Sequence, residues 1–306
     1  MKRKSTLSRV SGVTLLALLT LFINQLLTKP DIFTQKVHNN PSEYLKVHFI
    51  DVGQGDSILI ETTDSAMLID AGENDQGDIV VGYLQSQDIE NLDYVIGTHP
   101  HSDHIGGLDT VIQSFPIETI ILPPVSHTTK TFEDVLDAVE EAGHQLTKPK
   151  VGDTYSLGNA SFTIIAPNSE KYSELNNYSV GIKLDFYNNS FVFTGDAEKL
   201  AEKEMLENGL NLSADVFKIA HHGSVSSNSD EFWDAIDPDI AVVSAGHNNT
   251  YDHPHTEVLQ AVLERGIKLY RTDLQGTIVL TSDGNNISAN TTDYQITEED
   301  LIRTYE

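Results

Sequence analysis

The stretch GTHPHSDHIGG, residues 97–107, sets His99, His101, Asp103 and His104 within six consecutive positions. Imidazoles and a carboxylate at this density are metal-binding groups: His99 and His101, two apart on an extended turn, chelate one ion, while Asp103 and His104 face a second. A lone histidine is usually a surface or core residue, but four such groups bounded by a strand and two glycines argue against a plain polar loop. The chain has no cysteine, so disulfides and thiolate nucleophiles are excluded, and a metal must be held by imidazole, carboxylate or amide.

Those residues need elements to hold them. Short apolar runs read as strands at 46–52, 57–61, 66–70, 94–98, 119–122, 162–166, 180–186, 191–195, 216–220, 240–244 and 277–281. Helical patterns fall near 78–87, 106–115, 131–143, 197–208, 229–236 and 256–265. A meander of strands followed by alternating strands and helices predicts sheets covered by helices in one layered α/β domain. Three strands end on polar groups: YVIGT runs into His99, FVFTG into Asp196, and VFKIA into His221 and His222. Groups just past strand ends are exposed yet rigidly held, so these three ends predict one cluster.

The motif HPHSDH fits the H-x-H-x-D-H signature of the metallo-β-lactamase superfamily, and LIDAG, TGD and HHGS follow in that superfamily's order. Together with FIDVGQGDSILIE, NNYSVGIKL, FVFTGDAE and SAGHNNTYDHPHTEVL, they resemble the extracellular hydrolase domain of the ComEC-type DNA-uptake competence proteins and their free-standing relatives. The resemblance covers residues 45–283 and implies a four-layered αββα sandwich with two divalent metal ions at one edge. It assigns His99 and His101 to the first metal, Asp103 and His104 to the second, and Asp196 to both. His222 completes the second site in preference to His221, which then faces the substrate, although the residues alone leave the choice between them open. Imidazole and carboxylate ligands suit zinc, with manganese also compatible.

Where other superfamily hydrolases carry a further histidine, this chain has NNYS, with Asn177 and Ser179. That departure implies a more open first site and speaks against β-lactam hydrolysis; Asn177 is counted with Asp103, His221 and His253 among the catalytic candidates, the alternative being that it merely caps a turn. His253, in DHP, matches the family's Gly/Asp-His-Pro element and would contact a phosphate or protonate a leaving group. Asp70 either orients the histidine loop or simply turns the chain. Asp51 and Asp56 flank a Gly-Gln-Gly turn without a P-loop lysine. His38, His48, His127, His144, His247 and His255 carry no comparable support, and Trp233 reads as packing.

Charge sets further limits. Residues 1–30 hold five basic and no acidic side chains, while the rest carries 14 Lys and Arg against 46 Asp and Glu, a formal charge of −32. Such a body offers no basic duplex-DNA-binding surface. The basic start and the apolar run 10–27 read as a signal or membrane-anchor segment (1–30), followed by a linker (31–44), the metallo-hydrolase domain (45–283) and an acidic polar tail (284–306). Whether the segment is cleaved is open; either way the body lies on the extracellular side of the cell membrane, anchored or secreted.

The expected function is an exported dinuclear metal-dependent hydrolase, a phosphodiesterase or nuclease-like enzyme that uses a metal-bound hydroxide. Its substrate is a small-molecule phosphodiester, a cell-surface ester such as a phosphorylcholine ester, or single-stranded DNA. DNA import would need a separate membrane channel as partner. A different class is a non-catalytic, metal-stabilised cell-surface binding protein.

Overall fold

Strands alternate their side chains between two faces, and here both faces are buried. The computed structural model describes residues 43–302; the anchor segment, its membrane run 10–27 and the linker up to residue 42 lie outside the described residues. Strands β1 (Leu45–Phe49), β2 (Ile58–Glu61), β3 (Ala66–Ile69), β4 (Leu92–Ile96), β5 (Ile117–Ile121) and β6 (Leu146–Thr147) come first. A second set follows: β7 (Thr154–Leu157), β8 (Ala160–Ala166), β9 (Gly181–Phe186), β10 (Asn189–Phe193), β11 (Val216–Lys218), β12 (Ile240–Val243) and β13 (Lys268–Arg271). Strands β14 (Ile278–Ser282) and β15 (Ile287–Ala289) then return to the first sheet, whose order is β15-β14-β1-β2-β3-β4-β5-β6; the second runs β13-β12-β11-β10-β9-β8-β7.

The alternation builds three apolar layers. Val47, Phe49, Ile58, Ile60, Met67 and Ile69 of the first sheet meet Phe162, Ile182, Leu184, Phe191, Phe193 and Val242 of the second between the sheets. Leu59, Leu68 and Val95 point the other way, onto helices α1 (Gly77–Ser86), α3 (Leu108–Ser114) and α4 (Lys130–Glu141). The short α2 (Ser102–Ile105) lies between α1 and α3 in sequence. Val192, Phe217, Ala241 and Val243 pack onto α5 (Lys199–Glu207), α6 (Asp230–Ile236) and α7 (Thr256–Arg265), where Trp233 is buried as core. This is the αββα sandwich that the motifs implied. Among the described residues no helix is long and apolar enough to cross a membrane.

Each sheet contains a parallel part, β3-β4-β5-β6 in one and β10-β11-β12-β13 in the other. The carboxyl ends of parallel strands share one edge, the usual location of a binding crevice in α/β sheets.

The last segment corrects an expectation. Residues from 284 onward are no free polar tail as far as Ile302. β15 pairs with β14, Tyr294 N donates to Leu269 O at 2.7 Å, and Asp300 pairs with the buried Arg271 at 3.1 Å. Ile296 and Leu301 pack against the outer core under α7. The acidic composition concealed this because the apolar anchors are isolated rather than periodic. Deleting residues 284–306 removes those anchors and a partner of Arg271. It should lower the urea unfolding free energy by on the order of 3 kcal/mol or more, and an unchanged midpoint would restore the free-tail reading.

Candidate metal centre

Five strand boundaries deliver the site. β3 ends before Asp70, β4 before His99, β10 before Asp196, β11 before His221 and His222, and β12 before Ser244. His101 caps the start of α2, which carries Asp103 and His104. The backbone of this ligand loop is pinned from both sides: Ala71 N donates to His104 O at 2.7 Å, and Asp56 N donates to Asp103 O at 3.1 Å. Gly55, at φ +135°, permits that approach, because a Cβ there would sit 2.2 Å from the Asp103 carbonyl oxygen.

The sequence-predicted ligands converge. Asp103, His104, Asp196 and His222 each offer an atom such that all lie within 4.8 Å of one another. Asp196 Oδ1 is 3.2 Å from His104 Nε2 and 3.6 Å from His222 Nε2, and Asp103 Oδ2 is 3.3 Å from His222 Nε2. On the other side of the same carboxylate, Oδ2 lies 3.8 Å from His99 Nε2, which is itself 3.0 Å from His101 Nδ1. Asp196 therefore faces two donor sets, one per oxygen.

The second nitrogen of most of these rings is anchored. His104 Nδ1 lies 2.8 Å from Asp70 Oδ2, His222 Nδ1 2.9 Å from the Ser244 carbonyl, and His99 Nδ1 within 3.1 and 3.3 Å of the Thr98 and Ser179 hydroxyls. Anchoring Nδ1 turns Nε2 toward the centre, which is how metal-binding histidines are oriented. Asp70 is the orienting residue in this scheme: its other oxygen accepts from Thr98 N at 2.8 Å.

Two observations test whether the residues suit a cation. Among the described residues the buried Asp196 Oδ1 has the His104 and His222 imidazoles at 3.2 and 3.6 Å but no well-aligned hydrogen bond, an arrangement that suits a cation. The protonation pattern says the same. Burial opposes charge on His222, yet Asp196, Asp56 and Asp103 outweigh it and raise its pKa to about 10; burial opposes charge on His104 too, but Asp196, Asp103 and Asp70 hold it well above the ordinary histidine range. Burial alone would raise Asp196, and the neighbouring His104, His222 and His221 pull it well below the usual carboxylate value. The carboxylates that favour positive charge on these imidazoles would equally attract a divalent cation. Asp103, His104, Asp196 and His222 fit one ion, and His99 and His101, on the other side of the Asp196 carboxylate, would hold a second.

Two residues that sequence reasoning left out of the site stand behind His222. Asp56 Oδ1 is 3.4 Å from its Nδ1, while Asp56 Oδ2 accepts from Lys218 Nζ at 2.8 Å, all of it buried. The signal was present in KIAHHGS: a lysine inside an apolar strand needs a buried partner. Asp51 stays outside, exposed and capping Gly53 N.

The structure corrects one catalytic expectation. Asn177 is turned away: its Oδ1 accepts from Glu198 N and Ala201 N, capping the start of α5, and its Nδ2 reaches Glu198. The neighbouring Asn176 lines the cleft instead, with Oδ1 lacking a partner among the described residues. His253 does line the cleft, its ring 5.6 Å from His221 and stacked on Tyr251. However, burial and then the charges of His222, His255 and His221 press its pKa down to about 3. His127 also lines the cleft, His48 bonds Tyr83 away from it, and His247 and His255 line a neighbouring cavity; His38 lies outside the described residues.

Comparison with known proteins now bears on this geometry. Residues 50–247 match the model of the metallo-beta-lactamase superfamily. The chain belongs to that superfamily. Its members are generally metal-dependent hydrolases, and their fold usually binds a dinuclear metal site. ComE operon protein 3 of Bacillus subtilis is 32% identical over 251 residues, 76% of this chain and 32% of that protein. Competence protein ComA of Neisseria gonorrhoeae is 28% identical over 240 residues, 78% of this chain and 32% of the relative. The chain thus spans about a third of the length of these curated relatives, and the likeness to competence proteins expected from the motifs is borne out. Among solved structures, the metallo-beta-lactamase fold protein YhfI from Bacillus subtilis superposes with TM-score 0.52 at 15% identity, over 78% of this chain and all of that one. CmlA, a diiron beta-hydroxylase from Streptomyces venezuelae, gives 0.50 at 15% identity, over 79% of this chain and 54% of that one. At such identities these two speak for the fold alone.

The protonation pattern predicts a pH response. With a folded-state pKa of about 10 against an ordinary 6.5, His222 contributes stability to the metal-free protein that is complete below pH 6.5 and is lost as pH rises through about 10. Urea unfolding of chelator-treated protein at pH 6.5 and pH 10 should show a fall of a few kcal/mol. In His222→Ala the fall should be clearly smaller; equal slopes in the two proteins would contradict the assignment.

Proposed function

We propose that this protein is a dinuclear metal-dependent phosphodiesterase acting on a single phosphodiester group at a time. The observation that carries the reading is the two-faced Asp196 at the base of an open cleft of about 440 Å³ lined by Gln54, Glu73, His101, Asn176, Tyr251 and His253, among others. A structural metal site closes around its ion, whereas this one is exposed to solvent and has space for a substrate. His99, His101 and Asp196 would hold one ion, with Asp103, His104, His222 and the other oxygen of Asp196 holding the second.

Two bound divalent cations supply Lewis acidity and a nucleophilic water near neutral pH. The chain's own groups do the rest. His253, whose ring lines the cleft beside His221, would contact the substrate on the side of the departing oxygen. Asn176 offers a second polar contact. No Lys or Arg lines the cleft among the described residues, so no cationic side chain there would meet the phosphate charge. That favours a short or single-stranded substrate over duplex DNA. The basic start and apolar run 10–27 support export and membrane tethering, which gives the cleft access to extracellular phosphodiesters. Passage of DNA across a membrane would still call for a separate channel partner.

A phosphorylcholine ester is the second reading. Tyr251, 61% exposed and stacked on His253, gives the cleft rim an aromatic face for a quaternary ammonium group. Metal-reconstituted protein should hydrolyse bis-p-nitrophenyl phosphate, and assays on single-stranded oligonucleotide and on p-nitrophenyl phosphorylcholine rank the two readings. Asp103→Ala should lower turnover by roughly 100-fold or more with the fold retained. Full metal occupancy without turnover on any of these esters would favour the non-catalytic binding protein.

A further inference from the structure

We propose that His221 is a metal ligand of the first site, so that the adjacent pair His221-His222 divides between the two ions. The inference rests on the two-ion reading of the site and not on the identity of the substrate.

Asp196 shows the division directly. Its Oδ1 faces His104 and His222, whereas its Oδ2 lies 3.5 Å from His221 Nε2 and 3.8 Å from His99 Nε2. Two donors about 2.1 Å from a tetrahedral ion sit roughly 3.4 Å apart, so these separations suit atoms sharing an ion. His221 is also built as the other ligands are. Its Nδ1 is anchored at 2.9 Å to Ser226 Oγ, which is itself 3.1 Å from Ser224 Oγ, and this turns Nε2 toward the shared carboxylate.

The backbone explains how neighbours reach opposite sides. His221 and His222 are both left-handed, at φ +52° and +53°, a conformation that non-glycine residues rarely adopt and that functional sites retain. The surroundings hold it in place. His221 N donates to Gly195 O at 3.0 Å, beside Asp196, and His255 N donates to Gly223 O at 2.9 Å. Gly223, at φ +90°, presses so closely on Pro254 that a Cβ would come within 2.4 Å. The NNYS segment supplies no competing ligand, since Asn177 caps α5 and Ser179 Oγ accepts from Asp196 N while lying 3.3 Å from His99 Nδ1. His221 therefore brings to the first site the imidazole that this segment lacks.

The test is metal stoichiometry on the full chain, stripped with chelator and titrated with Zn(II) and Co(II). The wild type should hold about two ions, and His221→Ala should keep one tightly while its other site weakens by tenfold or more. Ser226→Ala leaves every ligand in place and probes the same point without deleting one. In the Co(II) protein it should move one hyperfine-shifted imidazole N–H proton signal, that of His221. Two ions at wild-type affinity in His221→Ala, or no shifted N–H signal affected by Ser226→Ala, overturns the inference alone and returns His221 to a substrate-facing role. A wild type that never holds more than one ion overturns it together with the two-ion reading.

Discussion

Four carboxylates, those of the buried Asp56, Asp70 and Asp196 and of the half-buried Asp103 at the cleft, crowd around the buried His104 and His222. Like charges this close cannot all persist without compensating positive charge, and burial strengthens both repulsion and attraction. The rest of the site follows from meeting that constraint. Lys218 neutralises Asp56 from inside the sandwich, His104 takes up Asp70, and Asp103 and Asp196 remain directed at the open side. Removing any one partner would leave a buried charge uncompensated, typically a loss of about 3–5 kcal/mol. The cluster is therefore held as a unit, which suits a site where donor atoms must stay within tenths of an ångström of a working geometry.

The sandwich is what allows such a cluster to form. Parallel strands from both sheets end at one edge, so groups more than a hundred residues apart in sequence, such as His99 and His222, arrive already oriented. Close backbone approach then matters more than side-chain size. Gly55 lets the Asp103 carbonyl in, Gly107 lies against Ala71 O, and Gly223 lies against Pro254. Each is a point where two loops carrying site residues touch through their main chains. The ligand loops are braced against one another as well as against the core.

Most of the strands, the six longer helices and the grouping of the candidate ligands were legible because each was written locally. Alternating apolar residues mark strands whichever sheet they join, and the histidine motif places its ligands within one turn. What escaped needed partners distant in sequence. Asp56 looks like a turn residue until Lys218 is brought beside it, and Asn177 looks like a site residue until the start of α5 claims its side chain. The segment after residue 284 looks like a tail because its anchors, Tyr294, Ile296, Asp300 and Leu301, follow no period and find their partners on β13, α7 and the outer core. Composition describes a segment's average, while its place in a fold depends on a few specific contacts.

The charge distribution bears on selectivity under the proposed reading. A body with formal charge −32 repels an extended polyanion over several ångströms even at physiological salt, where the screening length is about 8 Å. Two bound ions would offset only the charge in their immediate vicinity, and among the described residues no lysine or arginine lining the cleft extends that effect along a strand path. A ligand carrying one phosphodiester meets the attractive centre without confronting most of the repulsive surface, whereas each further phosphate outside the cleft adds cost and no compensating contact. Selectivity by length then arises from electrostatics alone, before any group in the cleft reads the rest of the molecule. Longer substrates would gain from raised ionic strength, the reverse of the behaviour of proteins that bind nucleic acid through basic surfaces.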